Sequence, residues 1–317
     1  MSKPYIRYTQ REPSASGLLF SRIAQLNGQV MRSRTVEERR RVQLVVAEVR
    51  IIPPTIICEE ITCDDVPCEW VYPRRRQGLS AIEERVIIYL HGGSWAFGSL
   101  ESARPVSVLL AERTGYGVLM ASYRLSPENP YPAGLEDCYK VYKWLLRQGY
   151  RPEQIGLMGD SAGGNLALCL MNRLKAEGET LPACMAGASP VTDMRESSAI
   201  ISSGDDLIYT TYEGEQKDIF SLYLAEEWGD KRDDPLISPI MGDLKAFPPI
   251  LIHAGGDEPI AEDNIAFVEE AVSQGVDARI KIWKGMFHDF SIVGNTLRES
   301  RESMREIAVF FQKHMGK

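Results

Sequence analysis

The chain has 317 residues, 44% of them hydrophobic, which is enough for one large domain or for a core with an appendage. Its 36 Lys and Arg against 44 Asp and Glu give a formal charge of −8, which argues against nucleic acid or an anionic membrane as the main partner. Met1 to Tyr8 holds no apolar run of the kind a secretory signal needs. No stretch nears the ~18 apolar residues of a membrane span, and no lipid-docking stretch stands out.

Residues 1–50 read as helical and Arg-rich. Ser14-Ala15-Ser16-Gly17 leads into the apolar segment Leu18 to Ala24, and Thr35 with Glu38 three residues later is a capping box that opens a second helix. That helix sets Val42, Val45, Val46 and Val49 on one face, with Arg39, Arg40 and Arg41 mostly on the other as a solvated face. Pro53-Pro54 closes the region. Ile56 to Tyr72 is rich in β-formers and reads as two antiparallel strands before the basic turn Arg74 to Gly78. Cys58, Cys63 and Cys68 fall within it with four residues between neighbours, which is not a zinc spacing. The six scattered cysteines read as reduced thiols of a cytoplasmic protein, with neither metal nor cofactor implied.

From Val86 onward, short apolar runs alternate with helical segments. The strands are Val86–Leu90, Gly117–Ala121, Ile155–Met158, Ala183–Ser189, Pro249–Ala254 and Ala278–Trp283. The helices are Ala103–Arg113, Gly134–Gln148, one beginning at the end of the Ile155 strand, Ala261–Gln274 and Leu297–His314. This alternation predicts an α/β protein with a mostly parallel central sheet and helices on both faces. Residues 191–235 break the pattern and read as two helical segments inserted between strands. The expected division is therefore 1–50, an N-terminal helical part; 51–190, the first part of the core; 191–235, a helical insertion; and 236–317, the rest of the core.

The chemistry centres on Gly159-Asp160-Ser161-Ala162-Gly163-Gly164, between the Ile155 strand and a helix start. A Ser on a sharp strand-to-helix turn with Gly two residues to either side is a nucleophile elbow: the turn strains the Ser, and only glycines let strand and helix pass so closely. A Ser hydroxyl needs a base. Of the four histidines, His253 lies inside an apolar strand, His314 in the C-terminal tail, and His91 beside a Gly pair where it shapes a loop. His288, just past the last strand, remains. The order Ser, acid, His then asks for a carboxylate between them. Asp257, the first past the strand ending at Ala254, is the leading candidate, with Glu258 its competitor. Donors for a developing oxyanion are the backbone N–H groups of Gly93, Ser94 and Ala162. Trp95 and Phe97 are candidates for an apolar substrate pocket.

Together these motifs resemble the bacterial hormone-sensitive lipase family of α/β-hydrolase esterases. The elbow Gly159–Gly164 matches the family form GDSAGG in full, and His91-Gly92-Gly93-Ser94 is similar to its HGGG motif. Tyr123-Arg124-Leu125-Ser126-Pro127-Glu128 with Pro130, Pro132-Ala133 and Asp137, then Ser189–Asp193, Asp234–Pro239 and Pro248–Phe290 also look familial, so the resemblance spans roughly residues 85–290. It implies an α/β-hydrolase fold, Ser161 as nucleophile, Asp257 as acid, His288 as base, and a cap made of the N-terminal helices with residues 191–235. It further implies a small-molecule ester as substrate and dimerisation through the last strand. Two departures stand out: Ser94 replaces the third glycine, and Pro259 follows Glu258 where the family more often has Pro directly after Asp. The expected function is a carboxylesterase acting on small, short-acyl esters through an acyl-serine. The alternatives are an amidase or deacetylase on the same residues, or a non-catalytic ligand-binding protein on the same fold.

Overall fold

The computed structural model describes residues 3–47, 52–77, 85–204 and 208–316. In chain order, β1 (Ile6–Tyr8) precedes α1 (Ala15–Arg32) and α2 (Val36–Ala47), and β2 (Ile56–Cys63) and β3 (Val66–Pro73) form a hairpin. Then come β4 (Val86–Leu90), α3 (Leu100–Thr114), β5 (Gly117–Ala121), α4 (Ala133–Arg147), β6 (Ile155–Asp160), α5 (Ser161–Ala176) and β7 (Cys184–Ala188). The region after β7 holds α6 (Ala199–Ser202), β8 (Tyr209–Tyr212), β9 (Glu215–Asp218) and α7 (Ile219–Trp228). The chain closes with β10 (Ile250–Gly255), α8 (Ile260–Ser273), β11 (Ala278–Trp283) and α9 (Arg298–Met315).

The main sheet runs β1-β11-β10-β7-β6-β4-β5-β3-β2, parallel from β1 to β5 and antiparallel at β3 and β2. The continuous apolar runs follow from burial on both faces. Val86, Ile88 and Leu90 of β4 enter one core with Leu135, Leu166 and Phe267 from α4, α5 and α8. Ile87 and Tyr89, pointing the other way, enter a second core with Leu110, Ile307 and Phe311 from α3 and α9. The parallel strands thus all end on one edge, where the loops after β4, β6, β10 and β11 meet.

Three features depart from the sequence-based expectations. The segment Ile6–Tyr8 is a strand, not part of a helical region: it pairs with Ile280–Ile282 of β11. Three residues are too few for a readable period, and β11 supplies the partner. Because β1 occupies that edge, two chains could pair through β11 only past β1. Residues 191–235 are not wholly helical either, since Tyr209–Asp218 folds into the hairpin β8–β9, where the aromatic and β-branched run Tyr209-Thr210-Thr211-Tyr212 meets a turn at Glu213-Gly214 with positive φ.

The third departure concerns the Arg run of α2. The capping box is present, with Glu38 N–H donating to Thr35 Oγ1 (3.2 Å) and Thr35 N–H to Glu38 Oε2 (2.9 Å). Of the three arginines only Arg41 is exposed. Arg40 donates to the carbonyls of Ala96 (2.8 Å) and Ser126 (2.9 Å) and makes a bidentate pair with Glu128 (2.7 and 2.8 Å). Arg39 lies over the Phe97 ring at 4.1 Å and donates to the Tyr209 carbonyl (3.0 Å). These side chains pin α2 to the core, a use of planar guanidinium donors that helical periodicity alone does not show. Val42 is 41% exposed, and the side chains of Val45, Val46 and Val49 lie outside the described residues.

The helix α1 turns its small residues inward. Gly17, Ser21 and Gly28 are buried, while Leu18, Leu19, Ile23, Leu26 and Val30 are 51–59% exposed. The close approach is what selects glycine: a Cβ at Gly17 would lie 2.9 Å from Met286 Cε. No helix among the described residues is long and apolar enough to cross a membrane. All six cysteines are free thiols, five of them buried.

Candidate active site

Ser161 sits where β6 ends and α5 begins, with φ +49°, in the strained region that an elbow requires. The glycines around it are required sterically. A Cβ on Gly163 would fall 2.0 Å from the Leu90 carbonyl oxygen, and one on Gly159 would fall 2.4 Å from the Gly163 backbone. β4, β6 and the start of α5 are therefore in backbone contact, and that contact lifts Ser161 above the sheet edge.

His288, in the turn after β11, reaches Ser161: Nε2 lies 2.9 Å from Oγ. Its Nδ1 lies 2.6 Å from Glu258 Oε2. A carboxylate only accepts, so Nδ1 carries the proton and Nε2 is left to accept from the Ser161 hydroxyl. Glu258 is buried, and its Oε1 accepts from the Gly255 N–H and the Ser189 hydroxyl, both at 2.6 Å. This corrects the acid assignment. Asp257 is exposed, and its side chain has no partner among the described residues. The turn Gly255-Gly256, whose Gly256 N–H donates to the Trp283 carbonyl (2.8 Å) while Asp257 N–H donates to that of Met286 (3.0 Å), faces Asp257 to solvent and Glu258 to the site. The available signal was Pro259: aligning on the residue that precedes proline selects Glu258.

The loop after β4 is wound tightly, with φ of +114°, +56° and +55° at Gly93, Ser94 and Trp95. Gly92 N–H is taken by Asp160 Oδ2 (2.9 Å), and the other oxygen of Asp160 accepts from the Tyr89 hydroxyl (2.5 Å). Burial raises the Asp160 pKa to about 6, while the Tyr89 and Gly92 donors pull against that shift. Asp160, which sequence reasoning did not single out, thus holds the loop. The N–H groups of Gly93 and Ser94 are given to no acceptor among the described residues, and Ala162, second in α5, offers an N–H that precedes the helix's own bonds. His91 shapes the loop as expected: its ring stacks on Tyr123 at 4.5 Å, and Nδ1 lies 2.8 Å from the Gly92 carbonyl. His253 is a buried histidine, with Nδ1 2.7 Å from Ser303 Oγ and its pKa lowered to about 3 by burial.

A third carboxyl stands close by. Asp289, in a left-handed conformation at φ +60°, places Oδ2 3.4 Å from His288 Nε2. Burial pushes its pKa well up, the His288 charge opposes this, and Asp160 and Glu258 add to it.

Above these groups lies a cavity of about 490 Å³, within the size range of small-ligand sites. Phe97, Val191, Ile200, Ile219 and Phe220 make it largely apolar, with Arg39 entering from α2. Of the two aromatic residues of this loop, Phe97 lines the cavity. Trp95 does not: the left-handed turn at Ser94-Trp95 swings its indole away, to stack on Tyr223 at 4.4 Å and lie 5.8 Å from Phe220. It supports the wall from behind.

Comparison with known proteins gives a consistent picture. Residues 87–292 match a family described by the alpha/beta hydrolase fold. The chain is 33% identical to an acetyl-hydrolase of Streptomyces hygroscopicus over 84% of its own length and 85% of the relative's. It is 34% identical to an esterase of Acinetobacter venetianus, over 71% and 74% of the two chains. Among solved structures, an esterase from the bacterial hormone-sensitive lipase family superposes with a TM-score of 0.83 at 30% identity, covering 96% of this chain and all of that one.

Proposed function

The chain belongs to the α/β-hydrolases and is a carboxylic-ester hydrolase of their hormone-sensitive lipase family, and from that premise we propose that it cleaves short-acyl esters through an acyl-Ser161 intermediate. The observation that carries this reading is the unbroken chain of contacts from Ser161 Oγ to His288 Nε2 (2.9 Å) and from His288 Nδ1 to Glu258 (2.6 Å), at the floor of an apolar cavity.

In this reading the Ser161 oxygen attacks the ester carbonyl while its proton passes to His288 Nε2. Glu258 holds the ring in that tautomer and stabilises the imidazolium. Negative charge on the carbonyl oxygen is met by the N–H groups of Gly93, Ser94 and Ala162, a set of fixed donors of which each is worth roughly 3 kcal/mol in comparable sites. Collapse breaks the C–O bond, and the imidazolium returns its proton to the departing alkoxide. Water, deprotonated by His288, then attacks the acyl carbonyl; collapse breaks the bond to Ser161 Oγ, the imidazolium returns its proton to that oxygen, and the acid leaves. Ser94 lines the cavity beside these donors, which supports a narrower acyl end than a glycine there would leave. The apolar walls, which include Ile200 and Phe220, support an apolar acyl group, and a cavity of about 490 Å³ supports a small ester. The free thiols support a reducing, cytoplasmic setting.

The test is a series of p-nitrophenyl esters with the wild type and Ser161→Ala. We expect kcat/KM to peak between acetyl and butyryl, to fall at octanoyl and beyond, and to drop by about 10³-fold or more in Ser161→Ala. Equal rates for the two proteins would end the reading. A maximum at long acyl chains would remove only the substrate class.

A further inference from the structure

We propose that the outward face of α1 is a docking surface for a lipid bilayer that carries net negative headgroups. Five large apolar side chains on this one helix, Leu18, Leu19, Ile23, Leu26 and Val30, are each more than half exposed. Along an α-helix, residues 19, 23, 26 and 30 fall on one stripe, with 18 beside it. Scattered exposed leucines need no explanation, but a contiguous stripe does. The inward face is made of Gly17, Ser21 and Gly28, so the large side chains are not seated in the core, and the helix could not be rotated to bury them without driving them into Met286 and Glu299.

Charge decides between occupants. α1 has no acidic residue and carries Arg22 and Arg32. Of the nine Lys and Arg in residues 3–47, Arg39 and Arg40 turn inward and Lys3, Arg11 and Arg34 pair with Glu269, Glu302 and Glu38, so Arg22 is the cation that flanks the apolar stripe on α1 itself. Arg22, Arg34 and Arg41 are exposed in this segment. An amphipathic helix with basic residues beside an apolar face is the signature of an interfacial helix. A second copy of the chain docking through the same face would bring two positively charged segments together, so an anionic surface is the better complement. The location gives the docking a use. Asn27 and Met31, from the same helix, line the cavity above Ser161, so a bilayer seated on α1 would lie beside the entrance taken by esters dissolved in it.

The experiment is co-sedimentation of the full chain with phosphatidylcholine vesicles, with and without phosphatidylglycerol. It compares wild type, Ser161→Ala, and a triple variant Leu19→Ser/Ile23→Ser/Leu26→Ser whose fold is checked by thermal unfolding. We expect the wild type to partition onto the phosphatidylglycerol vesicles about tenfold or more better than the triple variant, and better than onto phosphatidylcholine alone, with an affinity that falls as salt rises. Ser161→Ala should bind like wild type, which separates this proposal from the fate of the catalytic reading. Wild type that stays in the supernatant, or a triple variant that binds equally, overturns it. So does a wild type that elutes as a dimer while the folded triple variant elutes as a monomer, since the face would then belong to a second copy.

Discussion

Glu258→Gln should lower kcat/KM for a p-nitrophenyl ester by about 10⁴-fold, and Asp257→Asn should change it by no more than about twofold. The difference follows from proton placement. Glu258 Oε1 already accepts from the Gly255 N–H and the Ser189 hydroxyl. A Gln at this position keeps its carbonyl oxygen on those donors and turns its NH₂ toward His288 Nδ1. Nδ1 must then accept, the ring proton moves to Nε2, and Nε2 loses the lone pair that would take the Ser161 proton. The substitution is nearly isosteric, so folding is preserved while the tautomer is wrong, and the loss corresponds to about 5.5 kcal/mol of transition-state stabilisation. Asp257 faces solvent and touches nothing that reacts. Steady-state kinetics on the two purified variants decide the point, and a large loss in Asp257→Asn with an active Glu258→Gln would reverse the assignment.

The second large effect is on folding. Gly163→Ala should destabilise the protein by ~4 kcal/mol or more, seen as lost soluble yield or as a melting temperature lowered by on the order of 10 °C. The added Cβ would sit 2.0 Å from the Leu90 carbonyl oxygen and 2.4 Å from that of His91, and both are backbone atoms that cannot swing aside. Relief would require the end of β4 to move away from α5, which displaces the loop after β4 and the elbow together. Gly229→Ala is the control. Gly229 has helical φ and ψ of −56° and −37°, and its Cβ would meet nothing closer than 3.5 Å, so this change should be neutral or slightly stabilising. Differential scanning calorimetry of both variants measures this. A Gly163→Ala protein that melts with the wild type would mean the strand–helix approach is looser than described.

These two variants also mark where the sequence could be read and where it could not. Val86–Leu90 and Gly117–Ala121 were legible to the residue because both faces of each strand are buried, which forces unbroken apolar runs bounded by polar turns. Ser161 was legible because its backbone strain demands glycines at fixed offsets, and His288 because three other histidines had clear alternative places. Glu258 was not legible from the strand end alone. Two adjacent carboxylates differ only in the direction a two-glycine turn gives them, a property of the bonds from Gly256 and Asp257 to the β11 turn. Trp95 failed for a related reason, since its left-handed φ sends the indole to Tyr223. The short strand Ile6–Tyr8, the Tyr209–Asp218 hairpin and the inward arginines Arg39 and Arg40 depend on partners far away in the chain, which local pattern does not encode. The burial of Gly17, Ser21 and Gly28 on α1 inverts the usual rule that large apolar side chains point inward, and periodicity alone cannot say which face of an amphipathic helix meets the core.

The most direct test of the account is covalent labelling of the wild type with a fluorophosphonate, with the modified peptide located by mass spectrometry. The Ser161 arrangement predicts one stoichiometric adduct, on the peptide that contains Ser161, formed by the folded protein and absent from Ser161→Ala. An unlabelled wild type, or an adduct on any other residue, would contradict it.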